Sequence, residues 1–162
     1  MLLDRERVSS VDGGRRPDPA YRTVVVPLDG DEGSFAALAT ACTLAAEGAA
    51  VVGTFVIEIP SELPLEAHMF EVERRAKETL AQARATVESF GLRFTGRVVR
   101  AHARAAAIVA EAERLDADVV VLAGQRRAAH RCSAPVFDRA VRTVLEDAAC
   151  RVLLIAPPAG ES

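Results

Sequence analysis

Along the chain, five short runs of branched apolar residues alternate with longer stretches in which apolar residues return every three or four positions. The runs are Tyr21–Pro27, Ala50–Ile59, Phe94–Arg100, Asp118–Gly124 and Cys150–Ile155. The amphipathic stretches between them are Phe35–Glu47, Glu66–Phe90, Ala103–Leu115 and Val136–Ala148. Strand-like runs separated by helix-length periodic segments predict an α/β domain with a parallel sheet.

The details sharpen this reading. Tyr21-Arg-Thr-Val-Val-Val-Pro27 is too apolar for a half-exposed strand, which places it in the middle of the sheet. Pro27 to Ser34 is turn-rich, with Ser34 expected to cap a helix that buries Leu38, Cys42 and Ala45 and stops at Gly48. Met69, Val72, Ala76, Leu80, Ala83, Val87 and Phe90 form the core stripe of the longest helix, ended by Gly91. Ile108, Ala112 and Leu115 do the same for the next, and His68 is expected on an exposed helix surface.

Composition narrows the class. At 162 residues, half of them apolar, the chain suits one domain. Aromatics at 4% and no Trp imply a core of Ala, Val, Leu and Ile, which fits helices packed closely on a sheet. Residues 1–20 carry Gly13-Gly14, Pro17, Pro19 and many charges without apolar period, so a disordered tail is expected there; the domain spans 21–157, and 158–162 form a short C-terminal tail.

A net charge of −3 is too mild to argue for nucleic acid or an anionic membrane as partner, and neither is expected. No apolar run reaches the roughly 18–20 residues that span a bilayer, and Met1–Ala20 is too polar for a signal peptide, so a cytoplasmic protein without membrane insertion is expected. Cys42, Cys132 and Cys150 show no Cys-x-x-Cys spacing and fit a reducing compartment. Cys42 and Cys150 read as buried small hydrophobes, Cys132 as a loop thiol beside Arg131.

Candidate chemistry gathers in two loops, after the first and fourth strands, where open α/β sheets hold ligands. The second, Gly124 to Arg131, offers one glycine and then side chains. Backbone N–H groups converge on phosphate oxygens where no Cβ blocks them, so this loop should not wrap a triphosphate. Arg126, Arg127, Arg131 and Arg139 suit an anion by charge-assisted bonds, while Asp138 opposes one; the other reading of the cluster is a solvated basic loop. His68, His102 and His130 lack a metal-ligand spacing, and neither a Gly-x-Ser-x-Gly elbow nor a Walker loop occurs, so no metal site and no enzyme are expected.

Val26-Pro27-Leu28-Asp29-Gly30 and the ending Val144-Leu-Glu-Asp-Ala-Ala-Cys-Arg-Val-Leu-Leu-Ile155 resemble the universal stress protein family over about Tyr21 to Pro157. The resemblance implies an open, doubly wound, five-stranded parallel sheet in the order 3-2-1-4-5 with helices on both faces. It also implies that Asp29 accepts a hydrogen bond from an adenine amino group beside the Leu28 backbone, with Gly30 completing the loop. The other reading of Asp29 is that it folds its own turn. Gly124 matches the first glycine of the family's nucleotide motif, but Arg127 stands at the second, Asp138 at the third and Arg139 at the Ser/Thr, with the spacing one residue longer.

This pattern resembles the branch with a degenerate ATP motif: a stress-response regulatory or interaction module that needs no cofactor and binds ATP or AMP weakly. The alternative is an adenine-nucleotide sensor using Asp29 and the arginines. Arg131 and Ala134-Pro-Val-Phe137 are similar to the stress-protein-like domains fused to amino-acid permeases, which implies a transporter as one class of protein partner. In the 3-2-1-4-5 order the wholly apolar Val152, Leu153, Leu154 and Ile155 lie at an unpaired edge, so a homodimer through this last strand is expected, as the resemblance also implies.

Overall fold

Val24, Val25 and Val26 of β1 (Tyr21–Leu28) are fully enclosed, the central position that their run of β-branched residues calls for. The computed structural model describes residues 21–124 and 138–156. The proposed tails, the arginines at 126, 127 and 131, and Cys132 therefore lie outside the described residues.

β1 is flanked by β2 (Ala45–Glu58) and β4 (Val119–Ala123), with β3 (Arg93–Ala101) and β5 (Arg151–Ile155) at the edges, giving the parallel order β3-β2-β1-β4-β5. Successive residues alternate between faces. Val24, Val26 and Leu28 pack with α1 (Glu32–Leu44) and α2 (Phe70–Ser89), whereas Val25 packs with α3 (Arg104–Arg114) and α4 (Arg139–Asp147). The expected strand order and layer arrangement are both present.

Several boundaries differ from the sequence reading. Asp31, not Ser34, caps α1: its carboxylate accepts the Ser34 N–H at 2.7 Å, while Ser34 is itself buried inside the first turn. α1 ends at Leu44 rather than Glu47, because Ala45 already pairs with Tyr21 in the sheet. Gly48, at φ +72°, belongs to an irregularity in β2 rather than to a helix stop: Tyr21 faces Ala45 but Thr23 faces Ala50.

α2 starts at Phe70, since residues 60–67 form turns instead, with Leu63 and Ala67 donating to Pro60 and Pro64 carbonyls. Phe90 lies past its end and is exposed, correcting its place in the core stripe; Ala76, Ala83 and Val87 are buried as expected. α4 is seen from Arg139, with the Val136 start outside the described residues. His68 is exposed but precedes the helix. Cys42 is buried; Cys150 is half-buried rather than enclosed, and burial pushes both thiols up. Among the described residues, no helix is long and apolar enough to cross a membrane.

Candidate functional site

The crossovers run on opposite faces either side of the β1/β4 pair, because β2 and β3 are reached in one direction and β4 and β5 in the other. The helices diverge there and leave a crevice at the carboxyl ends of the strands. A cavity of about 720 Å³ occupies it. Ile108, Leu122, Val144 and Ile155 supply an apolar base, and Asp29, Asp31, Glu32, Asp138 and Arg104 supply charge.

Asp29 combines the turn role with a place on the wall. Its Oδ1 accepts the Asp31 N–H at 3.0 Å, so it does fold its own loop. Its Oδ2 lies 3.5 Å from Nη2 of Arg104, the first residue of α3. Burial pushes this carboxyl up, but hydrogen bonding to Asp31 and the Arg104 charge more than offset it, leaving Asp29 below the ordinary carboxylate range. Asp31 moves the other way, raised by burial and by its bond to the neighbouring Asp29 carboxylate.

The two remaining residues of the expected loop site face elsewhere. Leu28 is 1% exposed and belongs to the core, outside the cavity lining. Gly30, at φ +86°, turns toward α2: a Cβ there would lie 2.6 Å from Thr79 Oγ1 and 3.2 Å from Arg75 Nε. Neither residue is part of the cavity lining.

Gly124 does line the cavity, yet its N–H is already bonded to the Ile155 carbonyl at 2.8 Å, extending the β4–β5 ladder. A Cβ at 124 would come within 2.7 Å of Leu154 Cδ1, so strand packing accounts for this glycine and no phosphate donor is left on it. Asp138 reaches the cavity as the N-cap of α4, its Oδ1 accepting the Val141 N–H at 2.8 Å. Arg139 follows it on the exposed side of the helix and is not part of the lining. Arg126, Arg127 and Arg131, the other three expected anion ligands, lie outside the described residues.

Arg104 was not among the residues singled out from sequence. A signal for it existed: a cation at the first position of a helix is opposed by the macrodipole and calls for a compensating anion. Asp31 and Glu32 were also passed over, because a cap and its neighbour read locally as helix-start residues.

The universal stress protein family model matches residues 20–156. The chain belongs to the universal stress protein family. Solved structures it resembles include the universal stress protein of Archaeoglobus fulgidus, at 21% identity and TM-score 0.67 over 83% of this chain and 98% of that one. Another is the Archaeoglobus fulgidus protein in complex with dAMP, at 20% identity and TM-score 0.63 over 83% and 98% of the two chains. A family member from Arabidopsis thaliana with AMP bound matches at 14% identity and TM-score 0.59 over 85% and 92%. At such identities the likeness speaks for the fold. Among curated protein sequences none matches.

Universal stress protein architecture thus places the β1 loop, the start of α3 and the start of α4 around one crevice. What this family member puts there is four carboxylates against one guanidinium among the described residues, and no histidine, cysteine and acid grouping able to hold a metal.

Proposed function

We propose that this universal stress protein is a non-enzymatic regulatory and interaction module of the cytoplasm that binds adenine nucleotides weakly and acts as a homodimer through β5. One observation carries the reading. The N-termini of α1 and α4 both point into the cavity, and each is already capped by an aspartate of the chain itself, Asp31 and Asp138. Helix N-termini are ready anion sites; a carboxylate seated on each of these two takes up the Ser34 or the Val141 N–H and sets like charge against incoming phosphates. Arg104 is no substitute, being set against Asp29. The working surface is then taken to be protein-facing, with a transporter one class of partner that the resemblance suggests.

A second reading has its own support. Asp29 sits on the cavity wall at the carboxyl end of β1, and the neighbouring folds include proteins solved with AMP and dAMP. In that reading the chain is an adenine-nucleotide sensor.

Calorimetry with magnesium-ATP and with AMP separates the two. Dissociation constants well above about 1 μM, weaker than about −8 kcal/mol, are expected. Asp138→Ser, which keeps the cap but removes the charge, should tighten ATP more than AMP. Wild-type ATP binding at low micromolar or below would replace the module reading with the sensor.

A further inference from the structure

The connection between β2 and α2 is held at several points and yet turns apolar side chains outward. At its start, the Ile59 N–H donates to the Ala101 carbonyl at 2.8 Å, and His102 Nδ1 lies 3.0 Å from the Ile59 carbonyl. At its end, Arg100 Nη1 donates to the Ala67 carbonyl at 2.9 Å, and the same guanidinium pairs with Glu73, whose carboxylate accepts the Met69 N–H at 3.2 Å. Turns bonded to Pro60 and Pro64 stiffen the middle. Inside, Ala67, Met69 and Val72 pack against Phe55, Ile57 and Ile59.

Outside, Leu63 is 41%, Leu65 39% and Phe70 74% exposed. The Phe70 ring stacks on His68 with centroids 5.4 Å apart and planes 6° apart, which orients it in solvent. Isolated exposed apolar residues are ordinary. Three within eight residues on an anchored connection amount to a prepared contact surface.

Its charge selects the occupant. Residues 58–71 include Glu58, Glu62, Glu66 and Glu71, with His68 and neither Lys nor Arg; further along the Phe70 face of α2, Arg74 is held between Glu71 and Glu78, and Lys77 is exposed. Glu71 pairs with Arg74, whereas Glu58, Glu62 and Glu66 are exposed and make no ion pair among the described residues. Carboxylates around an apolar centre repel acidic segments, anionic lipid and a second copy of the same surface, and they complement an apolar stripe flanked by Lys or Arg.

We propose that the surface formed by Leu63, Leu65 and Phe70, with Glu58, Glu62 and Glu66 around it, docks a cationic amphipathic segment of a partner protein. This rests on the interaction-module reading and names the partner's chemistry. None of its residues lines the cavity, so nucleotide titration and peptide titration report on different side chains.

The probe is a synthetic helix-forming Leu/Lys peptide with an amphipathic pattern, titrated into the full chain by calorimetry. A Leu/Glu counterpart and a Lys/Ser counterpart serve as controls. Saturable binding of Leu/Lys alone is expected, weakening as salt rises. Phe70→Ser and the double variant Glu62→Lys/Glu66→Lys should each weaken it by about tenfold or more. Leu145→Ser, at an exposed apolar position on α4, should leave it unchanged. Circular dichroism of each variant verifies folding.

No binding of Leu/Lys, equal binding of Lys/Ser, or insensitivity to both sets of substitutions overturns the proposal. So does a Phe70-dependent self-association of the wild type, which would make the surface a contact between copies. If ATP binds tightly while the peptide also docks here, the module reading of the cavity fails and the docking surface stands.

Discussion

Arg104 Nη2 and Asp29 Oδ2 lie 3.5 Å apart, joining the first residue of α3 to the loop after β1 across the cavity. Each answers a local problem of the other. The guanidinium sits at the positive end of a helix dipole, and the carboxylate is partly desolvated beside a second acid, Asp31.

The first expectation concerns pH. Asp29 has a folded pKa below its unfolded value, so its contribution to stability is present above the ordinary carboxylate range and disappears as pH falls through the lowered value. Arg104→Gln should therefore lower the melting temperature at neutral pH, with the gap to wild type narrowing as pH falls through the lowered Asp29 value. Asp31 is raised, so it contributes in the opposite sense, and its stabilising share fades as pH rises through its folded value. Asp31→Asn keeps an acceptor for the Ser34 N–H and should match or exceed wild type at neutral pH. Asp31→Ala loses the cap and should cost about 1 kcal/mol. Thermal unfolding across pH checks all three.

A second expectation tests whether Gly124 is a packing glycine. Gly124→Ala places a Cβ 2.7 Å from Leu154 Cδ1 and should cost about 1 kcal/mol, the low side of overpacking because Leu154 lies on an edge strand and can shift. Leu154→Ala in the same chain should recover much of that, giving non-additivity in a double-mutant cycle followed by denaturant unfolding. At Gly53 the same change meets the Phe94 ring at 2.7 Å and Leu28 Cδ1 at 2.8 Å, both buried, and should cost about 2–3 kcal/mol.

Glu111, 5% exposed on α3, pairs with Arg114 at 2.6 Å and with Arg97 of β3. Its hydrogen bonds to Arg114 lead the causes that hold its carboxyl below the ordinary range, with the Arg97 charge adding to them. Glu111→Ala leaves two guanidinium groups beside an emptied site and should cost about 2 kcal/mol, less than a fully buried pair because both arginines keep partial access to water. Glu111→Leu should recover part of it. The difference between wild type and Glu111→Gln should shrink as pH falls through the lowered carboxyl value, seen in chemical unfolding midpoints.

The edge strand supplies a fourth. Val152, Leu153, Leu154 and Ile155 pack against the sheet's two cores yet each keeps partial exposure along β5, the last strand of the order. Pairing this edge with a second copy would satisfy its open N–H and C=O groups. Analytical ultracentrifugation in the micromolar range should show a dimer for wild type, and monomer or aggregate for Leu153→Pro and Leu154→Lys. A monomeric wild type would rule the arrangement out.

Periodicity in the sequence determined the succession of strands and helices, the centrality of β1 and the buried faces of the helices. These depend on residue spacing within one element, which is a local property. The strand order came from resemblance to a family, carried by residues at the two ends of the domain. Boundaries were less legible where tertiary pairing overrides propensity: Ala45 and its neighbours are good helix formers, but Ala45 pairs with Tyr21 and leaves the helix early. The site was legible only in part. Asp29 and Asp138 could be named from the loops after β1 and β4, but not what they hold. Only the folded chain could bring Arg104 to Asp29, turn Gly30 toward α2 and commit the Gly124 N–H to Ile155. Those contacts join residues from different elements, and the crossovers of the sheet, rather than any nearby spacing, decide which side chains meet.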